Sequence, residues 1–349
     1  MIWLLLCFVA LLAYANGSND NSKGVATLVG YGAATPRKAL LYATLATAIG
    51  GGLSFWFSGG LLKSFSTGLF AKGTTLDMAF FASVLIGAFG WVIFATLTGL
   101  PVSTTHAITG ALIGAGLMAK AQILWAFLGK GFVRPLVLSP IVSLAAVYLL
   151  AWPVVWIVKR ISTRQKIEVE NVIAISAQVP GGSAQVIEYE STQRLVTTSP
   201  AANALHWLSG GFISFARGWN DTPKIAALAL VALPNRSSIG FVIVTIAMAA
   251  GGLISGTKVL QTLARKLTPL PLPESLTASL TTATLVCLAS WNGLPVSTTH
   301  VSTGAIIGAG LKNDPGSVKW KKVTEIVLSW VITLPAAGLL AAGARLILR

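Results

Sequence analysis

The sequence predicts an all-α membrane protein, a polytopic helix bundle of two inverted repeats with broken or re-entrant helices. Three observations carry that expectation. The chain is too apolar for a water-covered surface, its charge-free tracts reach membrane-crossing length, and two motif pairs recur in the same order in both halves.

Of 349 residues, 54% are hydrophobic and only 10% are charged, against roughly 25% charged in an ordinary soluble domain. Residues 39–62, 135–158, 237–257 and 326–344 contain no Asp, Glu, Lys or Arg. Each approaches or exceeds the roughly 20 residues a helix needs to cross about 30 Å of hydrocarbon. Residues 78–119 and 275–311 are equally charge-free but too long for one crossing, so each must fold back or pass twice. The 35 glycines fit this solvent, since many fall in small-residue runs such as Gly110 to Gly116. Such runs let helix backbones approach closely in lipid, whereas in a soluble helix they would only weaken it.

The net charge of +15 does not indicate nucleic acid. Its carriers sit mainly at tract ends, among them Arg37, Lys38, Lys63, Lys159, Arg160, Arg265, Lys266, Lys319, Lys321 and Lys322. There they reach lipid headgroups or loop water. Cys7 and Cys287 lie in apolar tracts and suggest no disulfide framework. The opening Met1-Ile2-Trp3-Leu4 lacks the basic start of a cleaved signal peptide and reads as a retained first membrane helix. A multi-pass protein of the cell (plasma or inner) membrane is expected, with its N-terminus outside.

The repeat is plain. Residues 99–117 read GLPVSTTHAITGALIGAGL and residues 293–311 read GLPVSTTHVSTGAIIGAGL, differing only at Ala107/Val301, Ile108/Ser302 and Leu112/Ile306. Upstream, residues 14–23 (YANGSNDNSK) match residues 215–224 (FARGWNDTPK). The expected division is a first repeat over 1–160, a polar connector over 161–203 and a second repeat over 204–349. Four of the ten acidic residues, Glu168, Glu170, Glu188 and Glu190, lie in that connector. It is expected to face water as a small hairpin or a disordered linker, without transport chemistry. About five tracts fall in the first half, and an odd count favours inversion about an axis in the membrane plane.

Asp20 and Asp221 are the acidic residues set deep in otherwise apolar segments. A carboxylate at that depth costs several kcal/mol unless paired, so it is a functional candidate. Gly17 and Gly218 permit a helix break and Pro223 reinforces one. Exposed carbonyls with the Asn19, Asp20, Asn220 and Asp221 side chains would then form an oxygen cage suited to a hard cation such as Na+. A structural polar clamp is the alternative. Ser103-Thr104-Thr105 and Ser297-Thr298-Thr299, each ahead of a small apolar helix, have the pattern of helix N-caps. Free amides, hydroxyls and the positive helix end suit an anion. Two such ends meeting near the midplane would surround one tetrahedral oxyanion. Alternatively the hydroxyls only bond to carbonyls of the preceding turn. His106 and His300 can donate to the anion, carry a coupled proton or brace the loop. The solitary His206 reads as structural or interfacial.

These motif pairs resemble those of the inorganic phosphate transporter (PiT) family, over both halves except the connector. The resemblance implies an inverted-repeat bundle, a homodimer in lipid, and Na+- or H+-coupled uptake of inorganic phosphate by alternating access. It implies no other cofactor. By the same resemblance Ser103, Thr104, Thr105, Ser297, Thr298 and Thr299, with Asn19 and Asn220, hold phosphate. Asp20, Asp221 and the two asparagines hold the coupling cation, Na+ being one candidate at Asp20 and Asp221. Sulfate is the alternative substrate. An asparagine–aspartate pair followed by small uncharged residues is the commoner family pattern, and Lys23 and Lys224 depart from it. At three residues past each aspartate they share its helical face. Each either neutralises the carboxylate or replaces a bound Na+, shifting coupling towards protons, or else reaches out to a water-filled vestibule. A Ser-x-x-His hydrolase and a passive anion channel are the competing classes. The duplicated donor array argues against an enzyme.

Overall fold

A computed structural model describes residues 2–161 and 200–348. Most of the connector expected over 161–203 falls on residues 162–199, outside the described residues, while its ends at 161 and 200–203 belong to helices. The order is α1 Ile2–Asp20, a 3-10 turn Asn21–Gly24, α2 Ala26–Tyr31, α3 Pro36–Phe57, α4 Gly59–Ser66, α5 Met78–Thr98 and α6 Thr104–Met118. There follow α7 Trp125–Phe127, a π-helical turn Leu128–Val133, α8 Arg134–Ile161, α9 Pro200–Ala229 and α10 Ser237–Ser255. The chain ends with α11 Thr257–Arg265, α12 Leu272–Trp291, α13 Thr298–Asn313 and α14 Trp320–Ile347.

Seven helical segments among the described residues are long and apolar enough to cross a membrane, and they include α1, α3, α5, α8, α10, α12 and α14. The 30-residue α9 is absent from that set, although at 1.5 Å per residue it extends about 45 Å. Arg217, Asn220, Asp221 and Lys224 lower its hydropathy, and all four are buried inside the bundle. The two over-long tracts resolve as sequence requires. Each divides into a long helix (α5 or α12), an extended stretch and a short helix (α6 or α13). Gly99 and Gly293 turn the chain at the division with φ of 77° and 65°, a conformation that glycine adopts without strain.

Packing is reciprocal. Helix α1 lies on α10 while α9 lies on α3, and α6 lies on α14 while α13 lies on α8. Since the motifs match α1 with α9 and α6 with α13, this is the pattern a pseudo-two-fold axis generates. Glycines set the distances. A Cβ on Gly17 would strike the Met248 carbonyl, and one on Gly218 the Thr47 carbonyl. At Gly110 and Gly114 it would strike the backbone of Leu334 and Gly338, and at Gly304 and Gly308 that of Pro140 and Leu144. Backbones this close replace the hydrophobic drive that lipid does not supply between helices.

The expected breaks are realised in one repeat only. Helix α1 stops at Asp20 and gives way to the 3-10 turn, but α9 runs unbroken through Gly218 and Pro223. An internal proline removes one bond of the helical ladder and crowds the carbonyl four residues back, here that of Trp219. Tight packing of the Gly218 turn on α3 and burial of residues 220–229 hold the helix in register past that defect. Gly17 and Gly218 therefore serve close approach and not interruption. Cys7 and Cys287 are free thiols.

Substituting Gly17 by Val should lower the melting temperature of the purified protein by several degrees, since overpacking costs roughly 1–3 kcal/mol. Gly52, with no atom within 4 Å of an added Cβ, should accept Ala without loss. Equal melting of Gly17→Val and wild type would show that α1 and α10 are not in backbone contact.

Candidate functional site

The duplicated elements meet at the centre of the bundle. Ser103 and Ser297 are the N-caps of α6 and α13, each hydroxyl accepting the amide N–H of His106 or His300 at 3.2 Å. Before each cap the chain is extended, and an asparagine holds it. The Asn19 side chain accepts from the Val102 amide at 3.1 Å and donates to the Leu100 carbonyl at 3.0 Å and the Thr96 hydroxyl at 3.1 Å. In the second repeat Asn220 donates to the Val296 carbonyl at 3.2 Å and to Asp221 at 3.0 Å, and accepts from Ser290 at 3.2 Å.

The two lysines do not reach a vestibule. Lys23 and Lys224 are 2% and 1% exposed, beside Asp20 at 1% and Asp221 at 2%. The Lys224 ammonium donates to Asp221 Oδ1 at 3.2 Å, the Val296 carbonyl at 2.8 Å and the Thr105 hydroxyl at 2.8 Å. Lys23 repeats the set, donating to Asp20 Oδ1, to the Val102 carbonyl at 3.0 Å and to the Thr299 hydroxyl. Each lysine thus joins the carboxylate and carbonyl of its own repeat to a hydroxyl of the other. Thr105 and Thr299 cross the interface too, donating to the Val296 and Val102 carbonyls at 3.2 and 2.7 Å. The helix ends meet there, with the Thr105 and Thr299 hydroxyls bonded to carbonyls across the interface.

Two residues that the motifs alone do not single out complete the cluster. Asn16 Nδ2 lies 3.1 Å from Asp20 Oδ2, 3.3 Å from Asp221 Oδ2 and 3.0 Å from the Thr104 hydroxyl, so one amide bridges both carboxylates. Arg217 occupies the matching position in the second repeat and is 1% exposed. Its Nη1 donates to Asn21 at 3.1 Å and Thr47 at 3.2 Å, and its Nη2 to Asn16 at 3.0 Å. A signal for it does exist in the sequence: an arginine deep in an apolar tract is as costly as a carboxylate there, and the repeat alignment sets it opposite Asn16.

The histidines lie on the flank of the cluster. His106 and His300 have ring centroids 4.6 Å apart, and His300 packs on Trp330 at 4.0 Å. His300 Nδ1 is 2.9 Å from the Leu136 carbonyl, and the Trp330 indole donates to the Pro101 carbonyl at 3.1 Å. His206 stands apart against Tyr31, centroids 5.7 Å away. Of the oxygens expected to hold a cation, Asp20 Oδ1 and Asp221 Oδ1 accept from the Lys23 and Lys224 ammonium groups, while Asn19 and Asn220 bond to the segments ahead of α6 and α13.

A family model described as the phosphate transporter family matches residues 16–341. The chain belongs to that family. A Pyrococcus furiosus relative carrying the name phosphate permease is 30% identical across 98% of this chain and 94% of its own length. A Rhizobium meliloti relative named as a low-affinity inorganic phosphate transporter is 30% identical across 97% of this chain and 93% of its own. A solved structure, that of a protein named the sodium-dependent phosphate transporter, superposes with a TM-score of 0.78 at 22% identity, covering 99% of this chain and 98% of that one. This member of the family is therefore a multi-pass membrane protein and not an enzyme. Ser103 and Ser297, the serines of the Ser-x-x-His pattern that prompts the hydrolase alternative, are the caps of α6 and α13.

Removing one partner of a buried ion pair costs about 3–5 kcal/mol. Lys23→Met should therefore destabilise strongly, and adding Asp20→Asn should recover most of the loss. Lys224→Met should cost less, because Arg217 Nε stays 3.8 Å from Asp221 Oδ2. A thermal-unfolding double-mutant cycle reads both, and simple additivity at Lys23 and Asp20 would contradict the pairing.

Proposed function

We propose that this chain is a secondary transporter that carries inorganic phosphate by alternating access, coupled to protons and not to sodium. The observation carrying the proposal is the buried cluster itself. Lys23, Lys224 and Arg217 against Asp20 and Asp221 leave a formal balance of +1, at two opposed helix N-termini that favour anions. A dihydrogen phosphate ion restores neutrality, and hydrogen phosphate does so together with one proton. Sulfate, fully ionised at neutral pH, cannot carry that proton itself and would need it placed on Asp20 or Asp221, leaving a dianion in a poorly solvating interior. The charge balance favours phosphate.

The lysines set the coupling. A carboxylate, a backbone carbonyl and a threonine hydroxyl are the oxygens that a hard cation selects, and here a tethered ammonium takes them. Sodium coupling is the second reading, prompted by the sodium dependence in the structural neighbour's name, and it requires both lysines to swing away. On opening, Thr104, Thr105, Thr298 and Thr299 turn their hydroxyls to the anion with the free amides of α6 and α13. Ser103, Ser297, Asn19 and Asn220 shape those ends, and His106 and His300 brace them.

The pseudo-two-fold axis lies in the membrane plane in this proposal. It relates repeat 1–160 to repeat 204–349, each with five helices (α1, α3, α5, α6, α8 and α9, α10, α12, α13, α14), and 161–203 connects them. Exposed Leu45, Ile49, Trp56, Val331 and Leu339 face lipid or the partner of a homodimer.

Phosphate uptake into proteoliposomes should persist when choline replaces Na+, and should follow an imposed proton gradient. A strict sodium requirement would remove the tethered-cation reading, and uptake that never exceeds equilibrium would indicate a channel. Unlabelled sulfate should compete weakly with labelled phosphate. Asp20→Asn and Asp221→Asn should each lower coupled uptake by about tenfold or more, whereas Glu168→Gln and Glu188→Gln in the connector should leave it unchanged. Equal effects at the two groups would dissolve the site assignment.

A further inference from the structure

The two-fold relation of the cluster's charges fails at Asn16 and Arg217. Asn16 is a neutral amide, whereas Arg217 carries a buried guanidinium. Three of the Arg217 contacts are to neutral oxygens, those of Asn16, Asn21 and Thr47. Its Nε–H is buried without a hydrogen-bond partner, 3.8 Å from Asp221 Oδ2. Thr298 shows the same imbalance. Its counterpart Thr104 accepts from Asn16 at 3.0 Å and lies 3.5 Å from Asp20 Oδ2, while Thr298 makes no side-chain hydrogen bond among the described residues. The unspent guanidinium N–H and the unspent hydroxyl both belong to the second repeat. Without Arg217 the two aspartates and two lysines would sum to zero.

We propose that Arg217 is the specificity-determining residue for the oxyanion: its Nε–H donates to a phosphate oxygen, and its charge supplies the cluster's surplus. The inference rests on the phosphate reading above and deepens it. Asp20–Lys23 and Asp221–Lys224 are closed pairs, each ammonium already bonded to three oxygens, so neither can attract an anion without first breaking its own pair. Arg217 offers charge with no such requirement. Its carboxylate contact is too long for a hydrogen bond, and a charge-assisted bond to an anion is stronger than the neutral ones it makes now. The anion consequently sits off the pseudo-two-fold axis, toward α9.

The test compares initial rates of phosphate uptake over a range of phosphate concentrations for wild type, Arg217→Asn and Arg217→Lys in proteoliposomes, with folded protein quantified for each. Arg217→Asn, which restores the repeat, should raise KM about tenfold or more, with maximal rate per folded protein changed less than about threefold, the scale of one lost charged hydrogen bond. Arg217→Lys keeps the charge and should hold KM within about threefold of wild type. Unchanged KM in Arg217→Asn, with maximal rate falling in step with folded protein, would reduce Arg217 to a brace and overturn the inference. So would a lysine variant as impaired as the asparagine one. Should Arg217→Asn not fold, Arg217→Gln takes its place, with the same rise in KM required. Wild type that takes up no phosphate overturns both this inference and the function on which it rests, whereas wild-type uptake with an unaltered Arg217→Asn KM overturns this inference alone.

Discussion

Five charges held out of water govern the centre of this protein. Transfer of an ion to a poorly polarisable interior costs several kcal/mol, and only close partners with further hydrogen bonds offset it. Asp20 and Asp221 find their partners one helical turn along, in Lys23 and Lys224, and those ammonium groups then complete their own shells on the opposite repeat. Charge compensation and the interface between repeats are consequently made of the same bonds. The two halves cannot part without giving each lysine a new acceptor, and an incoming oxyanion is an acceptor of the right kind.

That chemistry depends on backbones being close enough for lysine to reach. The small-residue seams at Gly17, Gly110, Gly114, Gly218, Gly304 and Gly308 bring helices of different repeats into main-chain contact. Larger side chains there would separate the helix ends and strand the carboxylates. Asn19 and Asn220 hold the extended segments ahead of α6 and α13, which delivers the Val102 and Val296 carbonyls to the ammonium groups. Glycine packing sets the scale, asparagine sets the register, and the ion pairs lock both.

Local chemistry was legible in the sequence. The caps at Ser103 and Ser297, the turns at Gly99 and Gly293, and the facing of Lys23 on Asp20 all follow from spacing within a few residues. The duplication announced which elements would be equivalent. What spacing alone does not give is partnership across the repeats. That Lys23 reaches Thr299, or that one amide of Asn16 serves both aspartates, is fixed by tertiary packing. The continuous α9 shows the same override, since burial outweighs the cost of Pro223. Arg217 was visible in the aligned elements, yet its meaning appears only beside Asn16.

Perfectly matched halves have a thermodynamic consequence: two conformations that exchange the roles of the halves must have equal free energy. An arginine on one side and an asparagine on the other remove that degeneracy. If the repeats exchange roles during transport as proposed, the two end states differ in free energy even with no gradient present. The unmatched Arg217 and Asn16, with the unbroken α9 against the interrupted α1, make the two halves of the duplicated scaffold energetically unequal.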